Sequence, residues 1–317
     1  MKLRGLVFAT LCLASVAAGA QGRPEGSEHG DPPRLGEHWA KDGKAPVAHE
    51  ARVGGSTSPN MTYHSGVVLQ KTVVKAIFWG SSWAPSDDKI TGLDAWYSGY
   101  GGSNYAKTVD EYGGSNGQVG PSSTYQGHIL DTSAIPAGTN FSSTSPVLAE
   151  VCKQVAAGSS SGGTSGITVD SSGNGYYPVY TDVPRGSAGF CAWHSYGTCS
   201  ASGKTRVQIA FFFKLDGDAG CDPVDTSGLH LQGLAALASV TAHELSEARS
   251  DPASPGAWYD SQGNENGDKC AWIFPVPLVT FADGTKWKLQ GEWSNAAYTA
   301  GTGYPNSTGQ KGCLSGL

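Results

Sequence analysis

Hydrophobic and polar positions are distributed unevenly along this chain, and one stretch stands apart. Over residues 228–252 (GLHLQGLAALASVTAHELSEARSDP) an almost uncharged Leu/Ala run ends abruptly in a cluster of ionisable groups. Leu231, Leu234, Ala238, Ala242 and Leu245 recur at roughly helical spacing, Asp225, Thr226 and Ser227 offer N-caps, and Pro252 disfavours helix at Asp251. The pattern predicts a buried helix that stops there. Charges on its last turns are costly unless something pairs them.

Elsewhere the pattern predicts short elements. Residues 67–79 (VVLQKTVVKAIFW) read as one long strand or a hairpin, and Arg206–Lys214 (RVQIAFFFK) as a buried strand. Weaker strands are predicted at 124–130 and 175–182, and helices at 87–97, 105–112 and 146–157, with a Ser/Gly loop at 158–166. Together they predict an α+β domain spanning 60–317, a mixed β-sheet packed on helices. A chain this long can bury roughly three-quarters of its unfolded surface.

Two N-terminal segments precede it. Residues 1–20 carry Lys2 and Arg4, an apolar run and the small residues Ala18, Gly19 and Ala20, the layout of a cleaved secretory signal. Residues 21–59 are polar and aperiodic, so a linker or pro-segment is expected, with His29, His38 and His49 as solvated histidines. Export, either to the extracellular space or through a periplasm in transit, follows. Of the seven cysteines, Cys12 leaves with the signal, and the even remainder points to disulfides. Cys191 and Cys199 are near enough in sequence for a local loop, and Cys270 with Cys313 would pin the C-terminal segment. Net charge of −6 with 15% charged residues gives no basic patch for nucleic acid, and no further run is long enough to insert in a membrane. A monomer is expected.

The chemistry concentrates on the apolar helix. His243 and Glu247 lie one turn apart on one face, able to grip one ion, with Glu244 about a quarter-turn away. That is the geometry of the zincin His-Glu-x-x-His helix, with Glu247 in place of the second His. It predicts a Zn2+ site in which Glu244 is the general base toward a metal-bound water. The loop after Pro252 crowds Asp260, Asn264, Glu265 and Asp268 between glycines. Glu265 is the best third ligand, with Asp251 and His194 as alternatives. Asp260, Asn264 and Asp268 could instead hold Ca2+, or the loop could be an ordinary turn. Asp251, at the unfavourable end of the helix dipole, needs a cation, which Arg249 could supply. Tyr259 is the expected transition-state stabiliser, with His194 as the alternative.

Several ordered stretches resemble the EXORDIUM or phosphate-induced protein family: Tyr63-His64-Ser65-Gly66, the strand ending Phe78-Trp79-Gly80, Phe190-Cys191-Ala192-Trp193-His194, and the region from Leu229 to Cys270. The resemblance covers most of residues 60–317, and implies secretion and a shared fold. It also draws His64 and His194 into consideration. The expected function is a secreted zinc-dependent peptidase acting on peptides or proteins in a zincin-like domain. The alternative is a non-catalytic extracellular protein, binding cell wall or receptor, with a structural metal.

Overall fold

A computed structural model describes residues 32–43, 58–161, 165–275 and 278–317. The signal-like segment 1–20 lies outside them. Six strands form the main sheet: β1 (Glu37–Trp39), β2 (Thr72–Trp79), β3 (Ser123–Asp131), β4 (Gly175–Pro184), β5 (Phe190–Thr198) and β6 (Arg206–Lys214). Their order is β1-β5-β6-β4-β2-β3. β3, β2, β4 and β6 run parallel, while β5 is antiparallel to β6 and β1 antiparallel to β5. The chain is therefore α+β with a mixed sheet.

The parallel strands β2, β4 and β6 are covered on both faces, and accordingly read as nearly continuous apolar runs. Helices α1 (Asp88–Tyr100), α2 (Ser145–Ser160) and α3 (Gln232–Ser250) cover them: α3 packs on β5, β6 and α1, and α2 on β4, β5 and β6. Along β5 the side chains alternate faces. Trp193 stacks on Phe211 and its indole donates to the Phe141 carbonyl at 2.8 Å, while the next residue, His194, turns toward α3.

α3 ends at Ser250 ahead of Pro252, as the pattern predicts, but its N-cap is Leu231 without a side-chain cap. Residues 67–71 are not strand: Val68 and Leu69 are buried, and the Leu69 N–H donates to the Arg249 carbonyl at 3.0 Å. Residues 105–112 form only a 3-10 turn, Ala106–Val109. Strand β5 was not predicted, because its buried residues include His194 and Ser195, which break the apolar run that marks β6.

Three disulfides join Cys152 to Cys199, Cys191 to Cys221 and Cys270 to Cys313. The local Cys191–Cys199 loop does not form, because β5 stretches between them. A strand rises about 3.3 Å per residue, which separates its two ends by far more than the ~7 Å a disulfide can span.

The polar stretch before residue 60 requires a correction. Residues 32–43 are not a solvated linker: they contribute β1, the outer strand on one side of the main sheet, and His38 is fully buried. Backbone pairing to β5, rather than an apolar stripe, holds the segment in place. No described helix is long and apolar enough to cross a membrane.

Candidate metal centre

Three parts of the chain converge at the C-terminal end of α3. The helix supplies His243, Glu244 and Glu247, β5 supplies His194, and the loop after Tyr259 supplies Glu265 and Asp268. That loop is held by the Cys270–Cys313 bridge and by Asn266, whose carbonyl accepts from the Trp293 N–H and whose side chain bonds Ser250 and Glu292. The site is therefore on rigid supports. His194, His243, Glu244, Glu247 and Glu265 are all 0% exposed, and the Asp268 side chain 19%.

Glu247 is the hub. Its Oε1 lies 3.1 Å from His243 Nε2 and accepts from the Asp268 N–H at 3.1 Å, while its Oε2 is 3.7 Å from His194 Nε2. His194 Nε2 is 3.2 Å from Glu265 Oε2, and His243 Nε2 is 3.7 Å from Asp268 Oδ1. Two overlapping ligand groups result, His194–Glu244–Glu247 and His243–Glu247–Asp268, each with its ligand atoms within 4.8 Å of one another. Gln290 steadies the imidazole from behind: its Nε2 is 3.1 Å from His243 Nδ1 and donates to the Gly267 carbonyl at 2.8 Å. The chain passes so close that a Cβ on Gly267 would sit 2.8 Å from His243 Nδ1.

The electrostatics follow from four carboxylates sharing one closed volume. Burial, then the neighbouring Glu247, push the Glu244 carboxyl well above the usual range, against the His38 N–H that bonds its Oε1 at 3.1 Å. Burial and Glu247 also push Asp268 up, with His243 opposing. Burial drives His243 down to about 4, although Asp268 and Glu265 pull the other way. It is thus a neutral imidazole at neutral pH, the form that ligates metals. Nearby cations are turned elsewhere. Arg249 donates to the Tyr100 hydroxyl and to the carbonyls of Ala106 and Gly120, and Lys269 to Asp260 at 2.8 Å.

A metal would fit this donor set. Two imidazoles and several carboxylates suit zinc and similar divalent ions. Among the described residues, His243 Nε2 and Glu244 Oε2 are buried without a hydrogen-bond partner, an arrangement that costs about 1–3 kcal/mol per group unless a ligand relieves it.

The other sequence candidates belong to different networks. Asp251 accepts from the Ala257 N–H at 2.6 Å, so a backbone amide meets it where Arg249 was expected. The Asp260–Asp268 loop divides in two. Asp260 accepts from Asn264 and Lys269 in a network of its own, whereas Asp268 turns to His243. Tyr259 stacks on His64, ring centroids 3.6 Å apart, in a short ladder that pairs Trp258–Tyr259 with Thr62–Tyr63. Sequence reading missed two contributors, Gln290 and the buried His38, and gave Asp268 only to a possible Ca2+ loop. Only Asp268 carried a signal, the oxygen-rich NENGD run.

Compared with protein-family models, with curated proteins and with solved structures, the chain matches none.

Proposed function

We propose that the chain is a secreted, zinc-dependent peptidase with a zincin-like arrangement of helix and sheet edge. One observation carries this reading: His194, His243, Glu247, Glu265 and Asp268 meet around a closed anionic volume on the last turns of a buried helix. His243 and Glu247 would hold the ion, with Glu265 as third ligand, and His194 or Asp268 as additional donors. Zinc bound there would polarise a peptide carbonyl and acidify a water. Glu244 is the proton carrier. Its buried Oε2 has no hydrogen bond and its Oε1 is held by the His38 N–H, a placement that suits taking a proton from the attacking water and passing it to the leaving amine. Calcium draws less support, since the Asp260 carboxylate is already bonded by Lys269 and by turn N–H groups.

Export agrees with three disulfides and with the absence of a membrane-crossing helix among the described residues. The resemblance to the EXORDIUM family belongs to the same proposal. In its favour, three of the stretches that carry it are neighbours in space: His64 stacks on Tyr259, and His194 meets Glu247 and Glu265.

Complete burial favours a second reading, a structural ion that staples the 265–270 loop to α3 in a non-catalytic extracellular protein, because structural zinc sites are closed. Metal content by mass spectrometry decides between a metal site and none. About one zinc per chain, lost in His243→Ala, supports the site. A wild-type chain that stays metal-free when supplied with zinc refutes both readings, and a metal-loaded chain that cleaves no unfolded protein favours the structural one.

A further inference from the structure

What closes the centre is the chain's own N-terminal segment. Residues 32–43 run along β5, the strand that carries His194, with Glu37 opposite Trp193 and His38 opposite Ala192. The Leu35 N–H donates to the His194 carbonyl at 3.0 Å, and the His194 N–H to the Gly36 carbonyl at 3.2 Å. Gly36 lies directly over the ligands: a Cβ there would fall 2.0 Å from Glu247 Oε2 and 2.5 Å from His194 Cδ2. Next along, the His38 N–H donates to Glu244 Oε1, and the His38 ring meets the His243 ring edge-on at 4.0 Å. Both His38 ring nitrogens are buried without a hydrogen-bond partner among the described residues. The ends are tied down as well. Ser195 Oγ donates to the Pro33 carbonyl at 2.6 Å, Thr144 Oγ1 to the Pro32 carbonyl at 2.7 Å, and the Lys41 N–H to the Gly220 carbonyl at 2.9 Å.

An extended backbone paired to a sheet edge, crossing catalytic side chains at a glycine, is the pose in which a peptide binds by strand addition. We propose that residues 35–39 occupy the place of an extended peptide substrate, so that the chain with this segment seated is self-blocked and opens only when it leaves. The proposal rests on the peptidase reading for the identity of the displaced ligand, and on geometry alone for the blockade. It specifies the ligand class: an extended peptide antiparallel to β5, with a residue no larger than Gly where the chain crosses Glu247.

Tethering makes the blockade effective. A tethered segment experiences an effective concentration on the order of 1 mM, so one that binds in trans at about 10 μM leaves roughly one molecule in a hundred open. Unseating it should raise the open fraction by up to about 100-fold.

The test uses Gly36→Val in the full chain, checked for a native circular dichroism spectrum, with His38→Ala as a milder second variant. A fluorescent peptide of residues 32–43 is titrated against wild type and both variants, with and without zinc, and cleavage of an unfolded protein is followed in parallel. Saturable binding to Gly36→Val, none to wild type, and at least about tenfold weaker binding of a peptide carrying the same Gly→Val change are expected. Cleavage should rise in Gly36→Val and fall again on adding the wild-type peptide. Equal peptide binding by wild type and Gly36→Val, or none by either variant, overturns the blockade, even where both cleave. Peptide binding confined to the variants, with no metal and no cleavage in any, upholds the blockade and sinks the peptidase reading instead.

Discussion

Glu244→Gln should make the metal-free protein more stable while destroying its activity. The Glu244 side chain is 0% exposed, shares its volume with Glu247, Glu265 and Asp268, and has one oxygen bonded by the His38 N–H and the other without a hydrogen bond. Glutamine preserves the shape and the acceptor facing His38, is neutral without binding a proton, and offers an N–H where the bare oxygen stood. Relieving one buried, poorly satisfied group is worth about 1–3 kcal/mol. For a domain of this size that corresponds to a rise in Tm of about 2–10 °C. Scanning calorimetry of wild type and Glu244→Gln in excess chelator measures it. Zinc content, read on the same samples after reloading, should be unchanged, because the ligands assigned to the ion are His243, Glu247 and Glu265. In the Gly36→Val background the substitution should lower peptide cleavage by about 100-fold or more. A lower Tm for Glu244→Gln would show that its carboxylate stabilises the cluster. Undiminished cleavage would remove it from the proton-carrying role.

Other expectations concern the supports of the site. Replacing Cys270 and Cys313 together by Ala frees a loop closed over a 43-residue separation, and should cost on the order of 4 kcal/mol by the chain-entropy estimate. Zinc affinity should fall in parallel, since the loop carries Glu265 and Asp268; unchanged affinity in an equilibrium titration would refute that coupling. Gln290→Leu removes the amide that faces His243 Nδ1 and holds the Gly267 carbonyl, so metal affinity should drop about 10–100-fold. On the far side of the molecule, burial raises the Asp131 carboxyl, but hydrogen bonds from Lys153 and Ser133 outweigh it and hold it well below the usual range. A depressed carboxyl binds fewer protons folded than unfolded, so its contribution is complete above about pH 4–5 and is lost as pH falls below that. Lys153→Ala should therefore destabilise by about 0.5–1 kcal/mol at pH 7 and by roughly half that at pH 2, measured by urea unfolding at both; equal losses at the two would contradict the assignment.

The helix and its chemistry were legible because two signals coincide there. A continuous Leu/Ala stripe announces burial, and charged residues placed on a buried stripe announce a partner. The parallel strands were legible for a related reason, since burial on both faces leaves uninterrupted apolar runs such as RVQIAFFFK. Strand β1 lacks any such mark. Its three residues are anchored by backbone hydrogen bonds, which carry no side-chain signature, and His38 is buried by what lies above and below it. Gln290 was invisible for the same reason: a glutamine after Leu289 says nothing about a histidine 47 positions earlier until the chain has folded. The disulfide partners also depended on the fold, because sequence proximity favoured Cys191 with Cys199 and an intervening strand forbids it.

The two margins of the main sheet are protected in unlike ways. At β3 the ladder shifts register opposite Val74 and Ala76, and Gly127 takes a left-handed φ of 76°, irregularities that spoil the margin as a template for another strand. At β5 the ladder also shifts register once, between His38 and Trp39, and the margin is masked by β1. A molecule that sheds this segment thereby gains an unpaired margin, to which a second opened molecule can add as a peptide can. Opened protein should accordingly self-associate as its concentration rises, so the seated segment would also act against association.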